Sequence, residues 1–177
     1  MKNIHGFSLL EILITLSIAA IITAISISSW NQFSQKSQAE VAMLQLQRAI
    51  ALAREEAITR HEDITLCKSN DQKNCSGDWQ DGYIIKNSAS VLQEFEAASN
   101  GILLLRAFPR NQDHLNFSPN GFSISENGTF WYCSTRAKNP SWALIMNRAG
   151  RVRVELPNQK GFILDDKGKP LECFVGI

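Results

Sequence analysis

Residues 7–35 read FSLLEILITLSIAAIITAISISSWNQFSQ, and from Ile12 to Gln35 the run holds no charged side chain. About 20 apolar residues at roughly 1.5 Å rise each match a hydrocarbon core of about 30 Å, so the run is long enough to cross a bilayer as a helix. A secretory signal peptide or a plain single-span anchor would be similarly apolar. Glu11 argues against both, because an acid in such a run costs roughly 2.5–3.5 kcal/mol at mid-bilayer and is usually matched to a partner. Upstream stands the short leader MKNIHG, with Lys2 and a final glycine. A cut after Gly6 frees an α-amine on Phe7, and an amine with an ordinary pKa of about 7.7–8.0 is largely protonated near neutrality. That amine can neutralise Glu11 of a neighbouring copy.

Together, Gly6, Phe7, Glu11 and the apolar helix resemble the processing signature of type IV prepilins. The resemblance implies cleavage between Gly6 and Phe7 by a prepilin peptidase, N-methylation of Phe7, and packing of helices, with Glu11 serving assembly, into a filament of pilin subunits. It also implies a single pass of the inner membrane before assembly, with the globular part in the periplasm, and an extracellular position within a pilus afterwards. The expected organisation is a leader at 1–6, a transmembrane or filament-core helix at 7–35, its amphipathic continuation at 36–60 and a disulfide-bonded β-rich domain at 61–177.

Beyond the apolar run, Ser37 to Arg60 contains no Gly or Pro and many strong helix formers. Met43, Leu46, Ile50, Ala53 and Ala57 recur at three- and four-residue steps, giving an apolar stripe to bury. Gln45, Gln47, Arg48, Arg54 and Glu55 are expected to face water. After His61 the pattern changes to short β-branched and aromatic runs. Strands are predicted at 64–68, 82–86, 91–95, 102–108, 115–117, 121–124, 129–133, 143–147 and 151–155. Turns are predicted at 74–77, 100–101, 119–121 and 127–128. The fold class is therefore α+β, a long N-terminal helix packed against antiparallel sheets. The four tryptophans, Trp30, Trp79, Trp131 and Trp142, are read as core or interface anchors.

A composition of 44% hydrophobic and 20% charged residues excludes a disordered or collagen-like chain. Cys67, Cys75, Cys133 and Cys173 all follow the apolar run, which favours an oxidising compartment and disulfides. Four cysteines allow three connectivities. The preferred pairing joins Cys67 to Cys75 in a short loop and Cys133 to Cys173 at the C-terminus. No C-x-x-C spacing supports a metal site, and no G-x-S-x-G, H-E-x-x-H or phosphate-binding glycine loop is present. No enzymatic activity, cofactor or metal is expected.

Net charge is only +1, but residues 101–160 carry eight Lys/Arg against three Asp/Glu, whereas residues 37–100 carry six against ten. A basic face from the second half can attract polyanions. The decisive stretch there is WALIMNRAGRVRVELP, residues 142–157, read as a hairpin with a turn at 147–150. Alternation places Arg151 and Arg153 on one face, with Val152 and Val154 on the other to be buried. Arg148 sits beside them in the turn. Guanidinium groups grip anionic oxygens through paired hydrogen bonds and suit a phosphate backbone. The opposing reading is a solvated face whose arginines pair with Glu155 or the Asp165–Asp166 region.

Phe117, Pro119 and Gly121, followed by Gly150, Arg151, Val152 and Arg153, resemble the C-terminal signature of the GspH/FimT group of minor pilins and pseudopilins, with G-R-x-R similar to its DNA-uptake branch. The resemblance implies that Arg151 and Arg153 contact DNA, joined by Arg148. Arg136, Lys138 and Lys160 are secondary candidates in the same basic half. Binding should address the phosphate backbone without sequence preference. The implied role is DNA uptake in natural transformation; the alternative is a type II secretion pseudopilin or filament-priming subunit with no DNA affinity.

Overall fold

The computed structural model describes the chain except residues 1–8, 97–100, 109–112, 125–126, 136, 166–167 and 174–177; at 24–29, 31–32 and 108 it describes the backbone alone. The leader, Gly6, Phe7, Arg136, Asp166 and the Asn100 side of one predicted turn therefore lie outside the described residues.

Helix α1 spans Leu9–Arg60, as expected from a stretch without glycine or proline. The chain divides into two compact units, Met1–Lys36 and Ser37–Ile177. In the first, described apolar side chains such as Leu9, Leu16 and Ile21 are exposed. Among the described residues no helix is long and apolar enough to cross a membrane. The expected span at 7–35 also includes positions 24–29 and 31–32, whose side chains are outside the description.

In the second unit α1 ends at His61, whose φ of 56° is the left-handed conformation that commonly closes helices. Arg60 pairs with Glu56 one turn back and complements the negative end of the helix dipole. Among the described residues eight strands follow: β1 Ile64–Lys68, β2 Gly82–Lys86, β3 Val91–Glu96, β4 Gly101–Phe108, β5 His114–Phe117, β6 Asn127–Ser134, β7 Trp142–Met146 and β8 Val152–Glu155. They form two four-stranded sheets, ordered β3-β2-β1-β5 and β4-β6-β7-β8. Every pairing is antiparallel, with Leu66 opposite Leu115 in the first sheet and Trp131 opposite Ala143 in the second.

One core joins the helix to both sheets. Leu46, Ile50, Ala53 and Ala57 of α1 are fully buried with Ile64, Leu66, Leu115 and Phe117 of the first sheet and Phe130, Tyr132, Leu144 and Met146 of the second. Each large aliphatic side chain buried this way contributes roughly 1.5–3 kcal/mol. Alanines 39, 42 and 49 extend the stripe, and small side chains there let the sheet backbone approach the helix closely. Trp142 uses that proximity: its ring is buried and its Nε1–H donates to the Ala39 carbonyl at 2.6 Å. Trp79 and Trp131 are buried as well, whereas Trp30 is exposed. A smaller cluster of Trp131, Cys133, Ala143, Ile163, Leu171 and Cys173 lies on the far face of the second sheet. The C-terminal segment covers it and is held by the Cys133–Cys173 disulfide, while Cys67–Cys75 closes the loop after β1.

Two predicted elements differ. Residues 121–124 are not a strand, because turn bonds Gly121 N to Ser118 O and Ser118 N to Phe122 O fix the segment, leaving one bridge between Phe117 and Ser123. Asn127–Gly128 is not a turn, because β6 begins there, with Asn127 paired to Phe108 and Gly128 to Ala107.

Candidate functional site

Strands β7 and β8 form the expected hairpin, with Ile145 opposite Arg153 and Met146 opposite Val152. Its turn is closed by Gly150 N to Asn147 O at 2.9 Å and by Asn147 N to Arg151 O at 3.1 Å. The Asn147 side chain reinforces it by accepting the Arg151 amide at 3.0 Å, the local bonding for which asparagine is favoured in turns. The strand starts at Val152 rather than Arg151. Val152 packs on the core, but Val154 is 36% exposed, so only the first valine anchors the hairpin as expected.

The turn is braced from below by Arg54. Expected to face water, Arg54 is instead half-buried, and its Nε–H donates to the Gly121 carbonyl at 3.1 Å. Gly121 and Gly150 have φ of 76° and 71°, and a Cβ at Gly150 would lie 3.0 Å from Arg54 Cδ and 3.2 Å from the Gly121 oxygen. Two loops far apart in sequence thus converge on one guanidinium stem, and a side chain at either glycine would crowd it or its neighbours. A second link, Ser123 N to Arg148 O at 2.9 Å, ties the turn to the same loop. Gly121 and Gly150 therefore meet around a helix residue that no local pattern singled out, while Phe117 is buried in the core.

The predicted cations have distinct fates. Arg148 and Arg151 are exposed, and neither makes an ion pair among the described residues. Arg153 is exposed but lies 3.3 Å from Glu155 Oε1. A pair this exposed is worth at most about 1 kcal/mol, so its guanidinium can be recruited by a stronger anion. Lys138 and Lys160 are exposed elsewhere. β7 and β8 are antiparallel, so the segments before Trp142 and after Glu155 share the end of the hairpin opposite the 147–150 turn. Five residues at about 3.4 Å each put roughly 17 Å between the two ends. Lys138 and Lys160 belong to the loops that leave that far end of the hairpin.

Between α1 and the turn lies an open groove of about 890 Å³, rimmed by Arg48, Arg54 and Arg151 and floored in part by Leu44 and Ile58. Both Cys pairs are disulfides, and no group of His, Cys, Asp or Glu could hold a metal ion among the described residues. The site offers exposed cations on a hydrogen-bonded turn, an arrangement that can bind an anion.

A helix laid on two antiparallel sheets, behind an N-terminal segment that matches the prokaryotic N-terminal methylation motif over residues 1–27, is the build of a type IV pilin-like subunit. The family model described as type II transport protein GspH matches residues 42–150, and the chain belongs to that family of minor pilins and pseudopilins. The match takes in Arg48, Arg54, Gly121 and Gly150; Arg151 and Arg153 lie just past it. Among solved structures, the type IV minor pilin FimU of Pseudomonas aeruginosa PAO1 is 21% identical and covers 81% of this chain and 98% of its own, with a TM-score of 0.54. A second crystal form of FimU gives 21% identity, coverage of 78% and 98%, and a TM-score of 0.52. The minor pseudopilin EpsH of the Vibrio cholerae type 2 secretion system is 12% identical, with coverage of 69% and 99% and a TM-score of 0.47. At such identities the FimU likeness is one of fold. No curated protein sequence matches the chain.

Proposed function

We propose that this chain is a minor type IV pilin that binds extracellular DNA through the arginines of its last hairpin and supports DNA uptake in natural transformation. Cleavage between Gly6 and Phe7, methylation of Phe7 and pairing with Glu11 would bring it from the inner membrane into the filament. The observation that carries the DNA reading is the exposed turn on which Arg148 and Arg151 stand without carboxylate partners among the described residues, beside a weakly paired Arg153. Like charges held together on a braced turn repel one another, and an anion of regularly spaced phosphates relieves that repulsion. Contacts of this kind set affinity and leave base sequence unread.

If the three hairpin arginines each neutralise one phosphate, log K falls with log salt at a slope near −2.7, from roughly 0.9 per phosphate on duplex DNA. The test is a gel-shift titration of the detergent-held full chain on a duplex of mixed sequence, beside transformation assays in the corresponding strain. Arg148→Gln with Arg151→Gln should reduce the slope by about 1.8 and abolish uptake, whereas Lys138→Gln with Lys160→Gln should leave both close to wild type. Unchanged binding in the arginine pair removes the assignment. A second reading is favoured by the type II transport description of the matching family: a pseudopilin or filament-priming subunit. It predicts loss of secretion or piliation on deletion and no DNA retention by the purified chain.

A further inference from the structure

The groove between α1 and the hairpin turn carries charge that the hairpin reading does not use. Residues 44, 48, 51, 55 and 58 follow one another at three- and four-residue steps, so they share one face of α1, and all five line the groove. Arg48 is exposed and makes no ion pair among the described residues. Across from it the wall is Gly150, Arg151 and Val152. Arg54 borders the same space, but its Nε–H is committed to the Gly121 carbonyl, so its part is to hold the turn in place. The carboxylate on the lining is Glu55, exposed and itself outside any ion pair among the described residues.

We propose that this groove is the second wall of the nucleic-acid site, that Arg48 on α1 is a further phosphate-contacting residue, and that Glu55 weakens binding from within it. The inference rests on the DNA reading and deepens it by naming where the backbone runs. Three guanidinium groups against one carboxylate make the groove complementary to a polyanion. Among the described residues no aromatic ring lines the groove, so they offer no stacking platform of the kind on which single-strand binders hold bases. The occupant is therefore the sugar–phosphate ridge of one strand of a duplex, bases facing away.

The experiment uses the full chain in detergent and a mixed-sequence duplex, with affinity followed from 50 to 200 mM salt. A fourth contact steepens the slope from about −2.7 to about −3.6, and Arg48→Gln should return it to about −2.7. Over that fourfold salt change, wild type should lose about 3.5 times more affinity than the variant. Arg48→Lys, which keeps the charge, should keep most of the slope, a rescue that a role in folding would not predict. Glu55→Gln should tighten binding at 50 mM salt. A wild-type slope in Arg48→Gln and no gain in Glu55→Gln would overturn the groove while leaving the hairpin standing. If Arg148→Gln with Arg151→Gln also binds as wild type, the DNA reading itself falls.

Discussion

Gly150→Ala tests the junction on which the arginine turn stands, and its cost can be worked from two terms. The first is conformational: an L-residue at φ of 71° costs about 1–2 kcal/mol, partly offset by about 0.4–1 kcal/mol of entropy removed from the unfolded chain, so the net is about 1 kcal/mol. The second is crowding, since the new methyl would sit 3.0 Å from Arg54 Cδ and 3.2 Å from the Gly121 oxygen. The Gly121 oxygen is backbone held by its own turn. Arg54 can withdraw only by giving up its bond to that oxygen, a charged hydrogen bond worth about 1.5–3 kcal/mol. The expected total is about 3 kcal/mol. Gly168→Ala isolates the first term, because Gly168 has φ of 72° and, among the described residues, nothing within 4 Å of a built Cβ. Thermal unfolding of the Ser37–Ile177 unit, read by circular dichroism, should fall by about 3 °C for Gly168→Ala and about 9 °C for Gly150→Ala, at roughly 3 °C per kcal/mol for a domain of this size. Coincident melting of the two variants would refute the close approach of helix, loop and turn.

Two further outcomes follow from the loops. Removing the Cys133–Cys173 disulfide with paired serines should cost roughly 4 kcal/mol and removing Cys67–Cys75 roughly 2.5 kcal/mol, because the loops they close span separations of 40 and 8 residues; denaturant midpoints in the reverse order would contradict this. Asp71 accepts hydrogen bonds from the backbone and side-chain amides of Asn74, the Lys73 amide and the Ser69 hydroxyl, which hold its carboxyl well below the usual carboxylate range. A depressed folded value means that the loop's ordering is complete above the ordinary Asp value of about 3.9 and is lost only as pH falls through the lower one. The amide shifts of Lys73 and Asn74 should therefore hold steady through pH 3.9, and a midpoint there would refute the cap.

How far the sequence foretold this molecule depends on the distance over which each feature is determined. The stripe of Leu46, Ile50, Ala53 and Ala57 is local periodicity, and it is buried as read. The strands around Ile64, Tyr83, Trp131 and Leu144 likewise carry their own β-branched and aromatic signal. Residues 121–124 carry a similar signal but yield to the turn bonds of Ser118, and Asn127–Gly128, a strong turn dipeptide, yields to pairing with β4. Arg54 is the clearest case of an illegible feature. A lone arginine between alanine and glutamate on a helix reads as solvated, and its partner Gly121 is 67 residues away. The exposure of Arg151 and Arg153 was legible by alternation along the strand. The Arg153–Glu155 contact belongs to the solvated-face alternative, and the separation of Lys138 and Lys160 from the turn follows only from strand direction.

The bond from Arg54 to the Gly121 loop, with Gly150 closed over the same stem, also has a mechanical meaning. A tug on the hairpin tip does not have to travel back through the ladder of β8, β7 and β6 before it is felt by the helix. Part of it can pass sideways, from Arg148 through the Ser123 amide to the Gly121 loop and on to Arg54 in α1, beside the path that the sheet offers.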